Sequence, residues 1–407
     1  MTSAPGPTPE PHPAPDRMLP NPGGLLAIEH IRYRDGFIDG LWKVLKLRSV
    51  RIESERRGGK TSVLRRMKAK PLENWLAVYQ DVSQVQTPTE FADRLVRDLK
   101  PVRGFWNKTL NGLAGAFQLL SSFKAFGFEF GFSRAGSWKA KTENIIRHVL
   151  ARQPNRKLVL LFDELPTMIK NIADKKPEGP KGAMEILDLL QTLRKTDPVG
   201  HRLRMVFAGS VGLHHVLRAL QAEGHVNQSV NDMDPVPLPP LGKADTTSLA
   251  RELIVNSGLN APDLATVCDT IASTTGGFPF FVHSVVDRMG KEDRPVTPAT
   301  VAEVVRQFLT DPLDPWNLNW FLSRIDSYYP EEGPAVRAVL DRLATSDSPV
   351  PLADLVAAAV GAGMTPDRAP SLIGWLALDH YVTQTLDGPY DFQFPILRRW
   401  WRLKRTL

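Results

Sequence analysis

A short glycine-rich segment, residues 54–61, constrains the fold of this chain more than any other feature. It follows an alternating apolar run at residues 50–53 and precedes residues 62–67, whose pattern predicts a helix. A strand, a glycine-rich turn, Gly-Lys-Thr and a helix together form the layout of a phosphate-binding loop. Glycines let backbone N–H groups face phosphate oxygens, and the helix N-terminus adds partial positive charge. The segment therefore predicts a nucleotide site, and a basic surface turn is the alternative.

The polar residues of this segment have predicted roles at the phosphates. We expect Lys60 to reach the β- and γ-phosphates and the Thr61 hydroxyl to bind Mg²⁺. The first position is Ser54 where glycine is usual, and serine is small enough to permit close approach. The other residues predicted to bind the nucleotide here are Arg57, Gly58, Gly59 and Ser62.

A second run, residues 157–164, supplies the acidic partner that such a site needs. Its five consecutive apolar residues predict a strand that is buried on both faces of a parallel sheet. The run ends in Asp163 and Glu164. We expect Asp163 to hold Mg²⁺ through water and Glu164 to polarise an attacking water.

Two further apolar runs are predicted to be strands, with a plain core role as the alternative. Residues 76–81 lie in sequence between the glycine-rich segment and the acidic run. Residues 204–210 end in Ser210, which we expect to sense the γ-phosphate. His214 and His215 follow without a cysteine or carboxylate at ligand spacing, so we interpret them as structural.

The composition is that of a globular protein with two or three domains. The chain has 407 residues, of which 42% are hydrophobic and 23% charged. No apolar run approaches the ~20 residues that cross a bilayer, and no signal-peptide pattern is present. The single Cys268 excludes an intramolecular disulfide and a cysteine zinc cluster, and favours the cytoplasm. The formal charge of +7 permits a polyanionic partner without requiring one.

The pattern along the chain predicts four segments. The first is rich in proline and is expected to be a disordered tail, with order beginning near Leu25. An insertion in the second contains residues 126–132, where phenylalanine alternates as in a hairpin or an edge strand. The segments are a tail (1–24), an α/β P-loop core with a parallel sheet (25–241, insertion at 100–140), a helical lid (242–325) and a winged-helix domain (326–407).

The predicted winged-helix domain raises the question of duplex DNA. Its third helix, residues 369–379, has almost no basic or amide side chain, unlike a helix that recognises bases. The cations follow the hairpin instead, interleaved with Trp400 and Trp401. They either bind phosphates or form the solvated face of a terminal helix whose tryptophans are docked. These cations are Arg398, Arg399, Arg402, Lys404 and Arg405.

Several of these motifs together resemble the AAA+ and STAND-type ATPases of bacteria and archaea, including those related to origin-recognition proteins. The resemblance extends over nearly everything after residue 25. It rests on residues 55–62, 161–166, 207–213, 237–241, 276–280 and 392–401.

The resemblance implies a role for each matching residue. Lys60 and Thr61 would be the Walker A pair, Asp163 and Glu164 the Walker B pair, and Ser210 would lie near the first sensor position. The other implied residues are Gly277 and Pro279 of a nucleotide-sensing Gly-x-Pro lid motif, and Arg218 as an arginine finger acting in trans. The chain departs from the family at Ser54, at Ser210 in place of Asn or Arg, and in having no clear sensor-two arginine.

Three functions follow as hypotheses. The first is a slowly hydrolysing switch ATPase that uses ATP and Mg²⁺, in which nucleotide state controls how a winged-helix domain is presented. The second is a DNA-binding regulator or loader in which ATP is mainly a structural cofactor. The third is a protein-interaction module with a decayed phosphate loop. The expected partners are ATP or ADP, duplex DNA through the C-terminal domain, and a protein partner or a second copy, with no membrane.

Overall fold

The computed structural model of the chain describes residues 17–103, 137–209, 212–225, 227–386 and 388–407. The described chain forms two compact units. The predicted insertion, including its alternating phenylalanines, lies mostly outside the described residues. The sheet unit comprises Ala27–Pro239 and Pro370–Val382, and the helical unit comprises the residues up to Leu26, Pro240–Ala369 and Thr383–Leu407.

The sheet unit is built on a five-stranded sheet in the order β2-β3-β4-β1-β5, in which every neighbouring pair is parallel. The α/β fold with a parallel sheet is therefore confirmed. Strand β4 lies between β1 and β3, so the glycine-rich segment and the acidic run follow strands that are not direct neighbours. The strands are β1, Val50–Glu53; β2, Trp75–Asp81; β3, Lys157–Asp163; β4, Leu203–Ala208; and β5, Asp234–Pro237.

Strand β3 shows why its sequence is continuously apolar. Leu158, Leu160 and Phe162 pack into one core with helices α3 to α6, while Val159 and Leu161 pack into another with α1 and α2. Alternate side chains of a strand point to opposite faces, so helices on both faces demand apolar residues at every position. The helices are α1, Asp35–Leu45; α2, Lys60–Ala69; α3, Pro88–Arg103; α4, Ser137–Arg152; α5, Leu165–Ala173; α6, Gly179–Lys195; α7, Val199–Arg202; and α8, Leu213–Ala222.

The helical unit contains the helices between Lys243 and Gly361, the last helix (Pro395–Arg405) and most of a two-stranded sheet. The helix Ala369–Leu378, named α16, belongs from Pro370 onward to the sheet unit. The division into a lid and a winged-helix domain stays a prediction. The other elements are α9, Lys243–Asn256; α10, Leu264–Thr275; α11, Pro279–Met289; α12, Pro298–Thr310; α13, Asn319–Tyr328; α14, Gly333–Ala344; α15, Leu352–Gly361; β6, Val382–Gln384; β7, Tyr390–Phe392; and α17, Pro395–Arg405.

Order begins earlier in the chain than the sequence predicts. Met18 is only 1% exposed, and its carbonyl oxygen accepts a hydrogen bond from the Asn256 side chain at 3.1 Å. The backbone N–H of Asn21 donates to Nδ1 of His283 at 3.1 Å. The described structure therefore begins before the predicted boundary near Leu25, because Met18 is buried and two polar contacts hold the segment around it.

Candidate nucleotide site

The glycine-rich segment forms a tight loop between β1 and α2. Gly59 has a φ of 98° and is the N-cap of α2, a conformation that glycine adopts without a steric penalty. A Cβ at Gly58 would lie 2.3 Å from Oγ of Ser54. The serine that replaces the usual first glycine therefore occupies space that only a glycine at position 58 leaves open.

Lys60 is buried in the middle of this loop. It is 5% exposed, and its ammonium donates to the carbonyl oxygens of Ser54 at 2.7 Å and Glu55 at 2.9 Å. Arg57, with a φ of 69°, is the one residue other than glycine in the loop with a left-handed backbone. The loop thus holds a charged amine at its centre, beside the N-terminus of α2, where phosphate oxygens are bound in such loops.

The two predicted magnesium ligands meet, although Thr61 lies in the first turn of α2 and Asp163 ends β3. Oγ1 of Thr61 donates to Oδ2 of Asp163 at 2.6 Å. Asp163 is 2% exposed, and its pKa is raised mainly by burial and further by Glu164, against the lowering effects of Thr61, Tyr79 and Lys60. A buried carboxylate beside a hydroxyl is a hard oxygen pair that fits Mg²⁺.

Tyr79 of β2 is a third member of this group, and the sequence analysis missed it. Its hydroxyl donates to Oδ2 of Asp163 at 3.1 Å. Burial raises the pKa of the Tyr79 phenol, and the Asp163 charge raises it further, so the phenol stays protonated and remains a donor. The sequence did contain a signal for this contact. Tyr79 lies on the strand beside the acidic strand, at a position that faces α2.

Arg34 is a second residue that the sequence analysis missed. It is 5% exposed and donates to the carbonyl oxygens of Gly58 at 3.0 Å and Pro239 at 2.7 Å. It therefore joins the phosphate loop to the segment after β5. A charged hydrogen bond to a buried carbonyl stabilises such a loop by about 1.5–3 kcal/mol.

Glu164 lies at a sharp turn between β3 and α5. Its φ of 58° is left-handed, and its carboxylate accepts a hydrogen bond from Oγ1 of Thr167 at 2.8 Å. Gly209 permits this turn, because a Cβ there would lie 2.4 Å from Pro166. Ser210, the predicted γ-phosphate sensor, lies outside the described residues.

The predicted lid residues belong to the helical unit, where they have structural contacts. Gly277 has a φ of 81°, and a Cβ there would lie 2.1 Å from the carbonyl oxygen of Leu241. The backbone N–H of Leu241 donates to the Gly277 carbonyl at 2.8 Å. Pro279 is the first residue of α11. Their contact with nucleotide stays a prediction.

The predicted arginine finger makes a contact within its own unit. The guanidinium of Arg218, on α8, lies 4.1 Å from the centroid of the Trp375 ring. A role in trans would require this cation–π contact to break, at a cost of about 0.5–2 kcal/mol.

Most of the cations near the C-terminus are engaged by acceptors inside the helical unit. Arg398 pairs with Asp391, Arg402 donates to Ala344, Ser346 and Asp347, and Arg405 pairs with Asp341. Trp400 and Trp401 are buried, and Arg399 and Lys404 are exposed. Of the two interpretations of α17, these contacts favour the terminal helix with docked tryptophans.

Comparison with known proteins identifies the fold. No protein-family model matches the chain, and no curated protein does. Among solved structures, the Walker-type ATPase PABY2304 of Pyrococcus abyssi superposes with a TM-score of 0.63 at 13% identity, covering 92% of this chain and 97% of that one. The chain has the fold of a P-loop ATPase. The predicted P-loop NTPase fold is confirmed.

Two other solved structures match over a similar length with lower scores. The ORC2 protein of Aeropyrum pernix in its ADP form has a TM-score of 0.46 at 10% identity, covering 93% of this chain and 96% of that one. A RuvB mutant of Thermotoga maritima has a TM-score of 0.39 at 12% identity, covering 90% and 93%. The assignment of fold rests on the first match.

Among the described helices of this P-loop ATPase fold, none combines the length and apolarity that crossing a membrane requires.

Proposed function

We propose that this chain binds ATP with Mg²⁺ and hydrolyses it slowly, as a switch. The observation that carries this proposal is the convergence of Lys60, Thr61 and Asp163, with Thr61 and Asp163 2.6 Å apart. Lys60 and Thr61 begin α2, which follows β1 through the glycine-rich loop. Asp163 ends β3, which lies two positions from β1 in the sheet. A phosphate loop and a metal-binding carboxylate have no other evident reason to meet in this way.

The phosphate loop supplies the binding energy. Lys60 exchanges its carbonyl acceptors for β- and γ-phosphate oxygens, and the amides of Gly58 and Gly59 face the phosphates at the start of α2. The loop positions Ser54, Arg57 and Ser62 complete this set. Thr61 and Asp163 hold Mg²⁺, which neutralises the charge that develops on the phosphate oxygens.

Hydrolysis depends on Glu164 as the group that polarises the attacking water, with Ser210 as the γ-phosphate sensor. The Glu164 carboxylate accepts a hydrogen bond from Thr167 on its own helix, so it must exchange this donor for water before it can act. This exchange, together with serine at the sensor position, is consistent with slow turnover.

The switch is the coupling of nucleotide state to the helical unit. Gly277 and Pro279 form the lid motif that responds to the γ-phosphate, and the predicted winged-helix domain presents the surface for a partner protein or a second copy. Hydrolysis releases the lid and changes that surface.

ATP binding and phosphate release by wild type, Lys60→Ala and Glu164→Gln test the proposal. We expect Lys60→Ala to lose binding, and Glu164→Gln to keep binding and lose turnover. Lys68→Ala is the matched control, because Lys68 is an exposed lysine on the same helix. Turnover retained in Glu164→Gln would refute its assigned role, and binding retained in Lys60→Ala would refute the site.

The same assay with duplex DNA separates the switch from a DNA-binding regulator. Arg398, Arg402 and Arg405 have acceptors, which leaves Arg399 and Lys404 as the exposed cations of α17 without a partner among the described residues. We expect turnover to be indifferent to DNA. Stimulation by DNA that is lost in Arg399→Ala/Lys404→Ala would favour the DNA-binding function instead.

A further inference from the structure

Two histidines and an aspartate converge at one point of the sheet unit, outside the nucleotide site. His214 and His215 lie in the first turn of α8, and Asp379 follows the last residue of α16. Nε2 of His215 lies 2.6 Å from Oδ2 of Asp379, and Nε2 of His214 lies 3.3 Å from Oδ1. The sequence analysis interpreted the two histidines as structural for lack of a nearby carboxylate. The fold supplies one from 164 residues away.

The carboxylate of the cluster is fully buried, and the two histidines are partly buried. The Asp379 side chain has no exposed surface, the His215 side chain is 8% exposed and the His214 side chain is 26% exposed. A buried carboxylate requires strong compensation, because removing its hydration costs several kcal/mol. The three ligand atoms, two imidazole nitrogens and one carboxylate oxygen, all lie within 4.8 Å of one another.

The backbone leaves room for this cluster at Gly212. A Cβ at this position would lie 2.6 Å from Cε1 of His214 and 3.0 Å from Oδ1 of Asp379. Gly212 has an ordinary negative φ of −61°, so its backbone conformation alone does not require glycine. The requirement at this position is the space beside the histidine and the carboxylate.

Hydrogen bonding does not account for the whole cluster. Nε2 of His214 is buried yet makes no hydrogen bond to any described residue, although a carboxylate oxygen lies nearby. The two imidazole rings pack against each other with centroids 4.2 Å apart. A buried imidazole nitrogen that makes no hydrogen bond and lies 3.3 Å from a carboxylate oxygen has its lone pair available for a ligand held beside both groups.

We propose that His214, His215 and Asp379 bind one divalent first-row transition-metal ion, and Zn²⁺ is the ion we use to represent this class. Two imidazoles and a carboxylate form a ligand set that such ions accept, with a fourth position for water. Bonds of about 2.0–2.1 Å in a tetrahedron place ligand atoms ~3.3 Å apart. The 3.3 Å between Nε2 of His214 and Oδ1 of Asp379 matches this spacing, whereas the 2.6 Å from Nε2 of His215 is measured to the other oxygen, Oδ2. With one carboxylate oxygen as the ligand, the separations among the three ligand atoms, all within 4.8 Å, must adjust by no more than ~1.5 Å.

The ion would join two segments that are remote in sequence. Helix α8 follows β4, the central strand between the phosphate-loop strand and the acidic strand, whereas α16 is the third helix of the predicted winged-helix domain. The contact of Arg218 with Trp375 joins the same two helices. Metal binding would therefore hold α16 against the sheet unit, independently of the proposed ATPase activity.

Zinc titration of the metal-free, full-length chain against a chromophoric chelator tests the proposal. We expect one Zn²⁺ per wild-type chain. Loss of a group that only orients a ligand weakens metal binding by about 10–100-fold, so loss of a ligand should weaken it at least ~100-fold. His214→Gln and Asp379→Asn should both show this effect. His201→Gln should not, because His201 forms an exposed pair with Asp197 and no third ligand joins them among the described residues.

Controls keep the result interpretable if a variant is unstable. Far-UV circular dichroism checks folding, and His214→Gln is the milder change because that side chain is the most exposed of the three. Co²⁺ in place of Zn²⁺ should give visible absorption bands that His214→Gln abolishes. The proposal would be overturned by one Zn²⁺ per chain bound equally by wild type and both variants, or by no Zn²⁺ binding below ~1 mM. The cluster would then be a structural contact that rests on the His215–Asp379 hydrogen bond.

Discussion

Tyr79→Phe is the variant that tests the site most directly, because it removes one hydroxyl and keeps the ring. The Tyr79 hydroxyl is one of two that donate to Oδ2 of Asp163, at 3.1 Å, while Thr61 donates at 2.6 Å. If Thr61 binds Mg²⁺, its hydroxyl no longer donates to Asp163. Among the described side chains, Tyr79 is then the donor that orients the carboxylate. A hydrogen bond to a charged group contributes about 1.5–3 kcal/mol.

This energy sets the expected size of the effect. Because ~1.4 kcal/mol corresponds to a factor of ten, we expect Tyr79→Phe to weaken Mg²⁺-dependent ATP binding by about 10–100-fold. Binding of ATP in the presence of EDTA should change little, because Lys60 and the loop amides are untouched. Isothermal titration calorimetry with and without Mg²⁺ measures both quantities.

The pH dependence gives an independent check. The pKa of Asp163 is already raised by burial, so Mg²⁺ binding should weaken as pH falls at values where an exposed aspartate is still ionised. The Tyr79 bond lowers this pKa, so Tyr79→Phe should move the loss to higher pH. Tyr390→Phe, on a strand of the helical unit, is the control for the binding experiment.

An equal loss of ATP binding by Tyr79→Phe with and without Mg²⁺ would refute the reasoning.

Three further predictions concern stability. Asp163→Asn should raise the melting temperature of the nucleotide-free chain at neutral pH, because an aspartate whose folded-state pKa is raised destabilises the fold once it is ionised. The same variant should abolish the effect of Mg²⁺ on ATP binding. A lower melting temperature would contradict the first expectation. Burial lowers the pKa of His283 to about 4, so stability should be complete above pH 6.5 and fall by about 2 kcal/mol between pH 7.5 and 5 in urea unfolding, a loss that His283→Gln removes. Gly277→Ala should cost about 1–3 kcal/mol more than Gly363→Ala, because both have positive φ but only Gly277 faces a carbonyl oxygen at 2.1 Å; equal costs would show that the contact relaxes.

The elements predicted from sequence were those whose signal is local. The glycine-rich loop, the apolar acidic strand and the strand predicted at residues 204–210, observed as β4, are each defined by consecutive residues, and periodicity and turn chemistry suffice to recognise them. The predicted pairing of Thr61 and Asp163 as magnesium ligands also needed no contact information. It rests on the general layout of phosphate loops, in which these residue types recur at these positions.

The sequence by itself therefore determined the fold class and predicted which residues form the glycine-rich loop and the acidic strand end. Only the tertiary structure decided which remote side chains meet. Tyr79 lies 84 residues from Asp163, Arg34 lies 205 residues from Pro239, and His215 lies 164 residues from Asp379. The packing of Met18 and the engagement of Arg402 are of the same kind. Such contacts depend on strand order and helix packing, and a single sequence does not encode either in a local pattern.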